Sequence, residues 1–342
     1  MKRTGFALAL VTLLVPGLAR AADHVNIAYI GGTADVGFYI ADAKGYLANE
    51  GIDAKFTVFD SAARMVAPLA TGEIDIGSGT VGAGTYNALE RGITMRAVAD
   101  KARNKGAYSY QGLVVRKALW DSGDIRSLKD LKGRRFAMTT AGGNEAAVLD
   151  DALRKIGMSI ADVDVTQLSM PQQVVAFANG AIDASFLPEP FLGKAIATKA
   201  GVSMIPASSL RDDDVTGVII YSDTLINKRP EVAKRAMKAY IRGLRDYVDA
   251  LKDGRLAGPG AEDVVDIIAK YSVVKDKDVL RSIIPHYVDP NGEVGVASLM
   301  ADWDFYKRGG FIKGDVTVEQ LIDKRWVAAA VAELGPYKPK AP

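Results

Sequence analysis

One nine-residue pattern occurs twice in this chain, and few architectures accommodate both copies. Leu69-Ala70-Thr71-Gly72-Glu73-Ile74-Asp75-Ile76-Gly77 is echoed by Phe177-Ala178-Asn179-Gly180-Ala181-Ile182-Asp183-Ala184-Ser185. Each copy reads as the last turn of a helix, a glycine that ends it in a left-handed conformation, and a short strand rising into a loop. An apolar run with one carboxylate suits a parallel strand covered on both faces. Upstream, Gly51-Ile52 and Gly157-Met158 each close an earlier helix and lead into a strand. The pattern predicts two similar lobes, each rich in βαβ units.

The length agrees, since 342 residues exceed one ordinary core and fit two lobes. Lys2 and Arg3 precede an apolar run from Phe6 to Val15, Pro16-Gly17 breaks it, and Ala19-Arg20-Ala21 offers a small-x-small cleavage site. This reads as a secretory signal peptide over residues 1–21, cleaved near Ala21, and too short for a membrane span. Its removal takes Lys2, Arg3 and Arg20 from the 43 basic residues and leaves them one short of the 41 acidic ones. That balance carries no electrostatic footprint for nucleic acid. With no cysteine there is no lipid-anchoring thiol, disulfide framework or zinc-thiolate site. An exported, soluble, periplasmic protein is expected.

Strands and helices alternate along the first half. His24–Ile30, Ala54–Phe59, Ile74–Gly77 and Met95–Lys101 read as strands, with helices over Val36–Asn49, Ala62–Thr71 (Ser61 as N-cap) and from the Ser78–Gly82 loop to about Arg91. Arg135–Thr139, Val163–Leu168 and Ile182–Phe186 repeat the pattern, with Pro171 at a helix start. Tyr110–Arg116 and Val215–Tyr221 share a mix of glycine and β-branched residues and are expected to be the two crossings between lobes. Lobe I then spans residues 22–112 and 216–342, and lobe II spans 113–215. The remainder is helical: Val232, Ala236, Tyr240, Leu244, Tyr247 and Leu251 form one apolar face after Pro230. A last helix is expected over Val318–Leu334, capped by Thr317, followed by a frayed Pro-rich tail.

In an open α/β sheet, ligands bind where the strands end and the following helices begin. Three loops here place glycine or hydroxyl residues just before a helix: Gly31-Gly32-Thr33, Ser78-Gly79-Thr80 and Thr140-Ala141-Gly142-Gly143-Asn144. Exposed backbone N–H groups and the positive helix end make such loops receptive to an anion, although each taken singly also serves as an ordinary cap or turn. Gly77-Ser78-Gly79-Thr80-Val81-Gly82 has the literal spacing of a dinucleotide loop, with Asp100 in range as a ribose contact. It follows the third strand rather than the first, which argues against that cofactor, and no cofactor is expected. The only histidines, His24 and His286, lie near opposite ends of the chain, so a catalytic triad or histidine-rich metal centre has no support. Asp75 and Asp183 are expected to satisfy backbone groups, and Asp289–Glu293 to form a turn. In Leu187-Pro188-Glu189-Pro190-Phe191 two prolines fix the backbone around a carboxylate at a strand end. It either accepts hydrogen bonds from a ligand or caps the next helix.

At these residues the chain resembles periplasmic solute-binding proteins of the nitrate/taurine/alkanesulfonate type, a group that includes binders of the thiamin pyrimidine precursor. The matching segments are Phe38-Tyr39-Ile40-Ala41-Asp42-Ala43-Lys44-Gly45, Leu69 to Asp75, Asp130-Leu131-Lys132-Gly133-Arg134, Gly180 to Pro190, and Tyr287 to Glu293. The resemblance implies an α/β, two-lobed periplasmic binding protein fold of type II-like form, with two hinge strands and a helical C-terminal part. It implies a monomer that is not an enzyme and hands a small ligand to the permease and ATPase subunits of an ABC importer. Carried onto this chain, the ligand meets Gly32, Thr33, Phe38, Ser78, Gly79, Thr80, Thr140, Gly142, Gly143, Asn144 and Glu189. Phe38 and Tyr39 are expected to form an apolar wall, and Thr216 to join the site from the return strand. Two departures concern ligand identity: Pro188 stands where the family often has an aromatic ring, and Gly31–Asp35 lacks the frequent amide or histidine. The expected ligand is a sulfonate, a taurine-like compound, nitrate or an aromatic or pyrimidine compound. The alternatives are a lyase or dehydratase using Glu189 or Asp35 as base, and a ligand sensor acting on a membrane kinase.

Overall fold

The computed structural model describes residues 21–340. Apart from Ala21, the expected signal peptide lies outside the described residues. Ten strands build two five-stranded sheets: β1 (Asp23–Tyr29), β2 (Ile52–Val58), β3 (Ile76–Gly79), β4 (Met95–Asn104), β5 (Gln111–Arg116), β6 (Arg135–Met138), β7 (Asp164–Gln167), β8 (Ala184–Pro188), β9 (Gly201–Pro206) and β10 (Asp214–Ser222). One sheet has the order β2-β1-β3-β10-β4 and the other β7-β6-β8-β5-β9. In each, the first three strands are parallel and the fourth is antiparallel to both its neighbours. The orders match position for position, but the first sheet's fourth strand, β10, returns after the whole second sheet, whose own five strands are consecutive in the chain. The chain leaves the first sheet after β4 for β5, and leaves the second after β9 for β10.

The repeated sequence pattern explains the matching geometry. Gly72 and Gly180 end their helices with φ of 76° and 75°, a region L-residues with a Cβ rarely adopt. The aspartate three residues later then locks the strand. Asp75 N–H donates to the Asn26 carbonyl at 3.0 Å, and its Oδ2 accepts from Asn26 N–H at 2.9 Å. Asp183 N–H donates to the Arg135 carbonyl at 2.8 Å, and its Oδ2 accepts from Arg135 N–H at 3.1 Å. Both carboxylates also hold arginines, Arg229 on Asp75 and Arg116 with Arg135 on Asp183. As expected from the sequence, these acids satisfy backbone.

Several elements differ from the sequence expectation. Tyr110–Arg116 and Val215–Tyr221 do not themselves span the gap. Each lies inside one sheet, and the chain passes between sheets over residues 105–110 and 207–213, just beyond the Asn104↔Asp214 pair. The edge strand β9 carries no periodicity strong enough to announce it. The helix expected over Val36–Asn49 breaks at Gly45, whose φ is 70°. Ser61 makes no side-chain cap. The Pro230–Asp249 helix stops before Leu251, which pairs with Leu256 in a small hairpin. The helix expected over Val318–Leu334 divides at Ile322–Lys324, because Ile322 bridges to Ala97 and Asp323 N–H bonds its carbonyl. The tail is tied down rather than frayed, with the Tyr337 hydroxyl on Asp249 and the Lys340 ammonium on Asp246. Among the described residues no helix is long and apolar enough to cross a membrane.

The Pro230–Asp249 helix anchors the first sheet's core. It packs against the Val36–Ala43 helix with Gly243 against Gly37, so close that a Cβ at Gly243 would lie 2.1 Å from the Gly37 carbonyl oxygen. Tyr221, Tyr240, Tyr247 and Trp326 fill the space around this crossing.

Candidate functional site

The tips of β1, β3, β6 and β8 and the ends of the crossing strands come together between the sheets. Contact across the gap is direct: Ala83 N–H, at a helix start after β3, donates to the Gly142 carbonyl after β6 at 3.0 Å. Gly82 and Gly142 permit that approach. A Cβ at Gly82 would sit 3.0 Å from the Gly142 carbonyl, and one at Gly142 would sit 3.2 Å from Ala83 Cβ.

Below this contact lies a buried ion pair. Asp35 Oδ2 accepts from the backbone N–H groups of Ile30, Gly31 and Gly32 at 3.3, 3.0 and 3.2 Å. Its Oδ1 accepts from the Ser78 hydroxyl at 2.6 Å and meets the Lys101 ammonium at 2.7 Å. Lys101 also donates to the Ser78 carbonyl at 3.3 Å. Its stem lies over Gly217, where a Cβ would be 2.9 Å away. The first-loop residues are thus organised by one carboxylate, and a cation from β4 sits against the strand tips.

Hydrogen bonds beside the crossings continue along the base. Tyr110, just before β5, meets the Thr216 hydroxyl at 2.8 Å, and Thr216 donates to the Ala102 carbonyl at 3.0 Å. The Thr80 hydroxyl donates to the Thr216 carbonyl at 2.9 Å. His286 packs edge-on to Tyr110 and stacks on Tyr247 at 4.6 Å. Its Nδ1 is 3.0 Å from the Tyr247 hydroxyl, and its buried Nε2 has no partner among the described residues. Burial, and after it the Lys101 charge, hold the imidazole's pKa down to about 3, so it is neutral throughout the physiological range.

The second sheet supplies two carboxylates. Glu145 Oε2 accepts from Thr139 N–H at 2.9 Å and from its hydroxyl at 3.3 Å, and burial pushes its pKa up to about 7. Glu189 Oε2 accepts from Gly193 N–H at 2.9 Å, so the helix-capping role exists. Burial raises its pKa against two opposing backbone bonds, one from Gly193 and one from Ile284 across the gap.

Of the residues expected from sequence, Gly32, Thr33, Ser78, Gly79, Thr80, Thr140, Gly142, Gly143, Glu189 and Thr216 lie on the tips or crossings. Phe38 and Tyr39 do not form an apolar wall. Phe38 is 1% exposed and packs on Tyr240 at 4.6 Å, while Tyr39 is fully buried and its hydroxyl serves the Gly32 carbonyl. The helix that carries them turns Phe38 toward the Pro230–Asp249 helix, while Tyr39 packs on Tyr29 and Tyr271. Asn144 directs its amide to Asp214 and Asp302 rather than into open space. Asp100 is buried away from the tips, where it accepts from Arg103 and Asp289 N–H. Lys101, Tyr110, Glu145 and His286 were not identified as site residues from sequence. Lys101 lies among Arg96, Asp100, Arg103 and Asn104 in β4, so no signal in the sequence singles it out.

Comparison with known proteins agrees with this architecture. The taurine-binding periplasmic protein of Escherichia coli (strain K12) is 26% identical over 270 residues, covering 77% of this chain and 78% of its own. The crystal structure of the periplasmic nitrate-binding protein NrtA from Synechocystis PCC 6803 superposes with a TM-score of 0.74 at 15% identity, over 92% of this chain and 89% of NrtA. The alkanesulfonate-binding protein SsuA from Xanthomonas axonopodis pv. citri, solved with MOPS bound, gives a TM-score of 0.69 at 17% identity, covering 88% of this chain and 98% of SsuA. Two like sheets joined by two crossings are therefore the periplasmic binding protein fold. The model of the NMT1-like family matches residues 19–254, well over half of the sequence, and the chain belongs to that family.

Proposed function

We propose that this chain is the periplasmic substrate-binding component of an ABC importer and captures a small organic anion between its lobes. The class covers sulfonates, taurine-like compounds, nitrate and aromatic or pyrimidine compounds. The observation that carries the reading is the buried Lys101 ammonium among the strand tips of the first sheet, against Asp35 and Ser78. Two of its contacts, Asp35 Oδ1 and the Ser78 carbonyl, are defined, and an ammonium has three N–H donors. Backbone amides at the Ser78-Gly79-Thr80 and Thr140-Gly142-Gly143 loops add donors from the two sides. Lobe I is assigned residues 22–112 and 216–342, and lobe II residues 113–215. A ligand bonded to both favours the closed population in proportion to its differential affinity.

The alternative of a lyase or dehydratase has no support in this site. Asp35 accepts three backbone N–H groups, a hydroxyl and an ammonium, which leaves it poorly placed to take a proton from a substrate. Glu189 is likewise engaged by backbone. The homologous taurine-binding protein supports the anion class, and the partners proposed are a permease and its ATPase, with the receptor acting as a monomer after export and cleavage near Ala21.

The test is a thermal-shift screen of refolded, ligand-stripped protein against taurine, alkanesulfonates, nitrate, small carboxylates and aminopyrimidines. A ligand at one hundred times its Kd adds about 2.7 kcal/mol to stability, which moves Tm by roughly 4 °C for a chain of this size. Stabilisation by one class and not the others identifies it. No shift with any of them overturns the proposal.

A further inference from the structure

We propose that Asn144, Arg211, Asp214 and Asp302 form a proton-linked latch that holds the lobes together and lets them part as pH rises. The inference rests on reading the two sheets as hinged lobes. Its four members come from both sheets and from the second crossing. Asn144 opens the Asn144–Arg154 helix after β6, and Asp302 lies on the Val296–Arg308 helix, which packs against the first sheet's tips through the Tyr306 hydroxyl on the Val81 carbonyl. Arg211 sits in the crossing, and Asp214 begins β10.

The contacts interlock. The Asn144 amide donates to Asp214 Oδ1 at 3.1 Å and to Asp302 Oδ2 at 3.0 Å. The Arg211 guanidinium reaches Asp302 Oδ1 at 2.5 Å, Asp214 Oδ1 at 3.1 Å and Asp151 Oδ2 at 2.5 Å. Ser298 donates to Asp214 Oδ1 at 3.2 Å. Asp214 Oδ2 is buried without a partner among the described residues. Asp214 and Asp302 are each 1% exposed, so two carboxylates share one guanidinium in a dry interface.

The surrounding charge does not relieve that excess. From the Asn144–Arg154 helix, Asp150 is paired with Arg154 and Arg308, and Asp151 with Arg211 and Arg308. Tyr86 and Tyr306 face Asp302 as neutral phenols whose pKa values burial raises. Arg103, on the neighbouring crossing strand, is taken by Asp100 and Asp213. Around the latch, four carboxylates (Asp150, Asp151, Asp214, Asp302) therefore meet three guanidiniums (Arg154, Arg211, Arg308). Burial raises both latch carboxyls above the ordinary range, and their mutual repulsion raises Asp302 further. One solvent proton, bound as a carboxyl O–H, removes the surplus charge.

The sign follows. Apart, with their carboxylates in water, the lobes leave both acids near pKa ~4. Together, they hold a proton at higher pH. Closure then takes up a proton, and the closed-to-open ratio falls by up to about tenfold per pH unit across the window between those values.

The chain has no cysteine, so spin labels can be placed at Val58→Cys and Gln167→Cys, exposed positions ending β2 and β7. The inter-label distance distribution is measured without ligand at pH 6 and pH 8, which separates this test from ligand identification. The expected result is a closed fraction at least threefold larger, relative to the open one, at pH 6. Asp302→Asn and Asp214→Asn should each abolish that difference, with circular dichroism confirming the fold. Identical wild-type distributions at the two pH values overturn the latch. So does an unchanged pH response in both folded variants, because Asp100 or Glu145 would then be the titrating group.

Discussion

Removing either partner of the Asp35–Lys101 pair should give very unequal losses. Asp35 gathers three backbone N–H groups, the Ser78 hydroxyl and the ammonium, whereas the Lys101 ammonium meets Asp35 and one carbonyl among the described residues. Truncating one member of a buried pair costs about 3–5 kcal/mol when the other is left uncompensated. Asp35→Ala does so fully: it strands the ammonium and three loop amides, and about 4–5 kcal/mol of a total stability on the order of 10 kcal/mol is at risk. Lys101→Met leaves Asp35 with four donors and replaces the stem with one of similar volume. Its cost should be about 1–2 kcal/mol, set by one charge-assisted bond. Urea unfolding of ligand-stripped protein at pH 7, with m held constant, measures both. The Met variant should fold cooperatively yet lose at least tenfold in affinity for whichever anion stabilises the parent. If it unfolds as readily as Asp35→Ala, Lys101 is a structural prop and the assignment of its ammonium to the ligand fails.

Gly243→Ala should cost about 2–3 kcal/mol by forcing apart a helix crossing in which its Cβ would meet the Gly37 carbonyl oxygen, read as a lower urea midpoint with ligand affinity per folded molecule unchanged. Ligand-free protein should also be more stable at pH 5.5 than at pH 7.5. Burial pushes Asp100 and Glu145 to about 7, so the folded state binds protons there that the unfolded state does not, and that stability is lost as pH rises through about 7. His286, held at about 3, opposes them below about pH 6.5 at roughly 1.4 kcal/mol per unit. One such group against two leaves the acid side favoured, and a Tm that rises from pH 5.5 to 7.5 contradicts the assignment.

Repetition made most of the fold legible. Gly72-x-x-Asp75 and Gly180-x-x-Asp183 encode a helix stop and a backbone lock in the same four residues, so a local motif reported a strand pairing. The tip loops followed from glycine placement for the same reason. What stayed hidden depends on distant partners. Lys101 is an unremarkable strand residue until Asp35 comes within 2.7 Å. Phe38 and Tyr39 match a family pattern, but which face of a helix meets a core is decided by Gly243 and Tyr240, some two hundred residues later. The division at Ile322 likewise reflects a bridge to Ala97 rather than any local helix breaker.

The return of β10 to the first sheet connects this fold to its function. Because β10 lies between β3 and β4, the first sheet is not complete until the chain has crossed twice, whereas β5 to β9 complete the second sheet in a single pass. The two crossings therefore run side by side, as the Asn104↔Asp214 pair shows. Two adjacent tethers permit bending about one axis while resisting twist, and that motion brings the same tips together each time. The residues at the end of this lever are small: Gly82 and Gly142 leave room for a backbone-to-backbone bond that a Cβ at either position would crowd. Polar groups needing exact partners sit beside the tethers instead, in the Tyr110–Thr216 bond and the Asn144–Asp302 bond. A ligand that bridges the tips then adds its contacts to a closure already specified near the axis, so its affinity is governed by how the crossings hold as much as by the groups it touches.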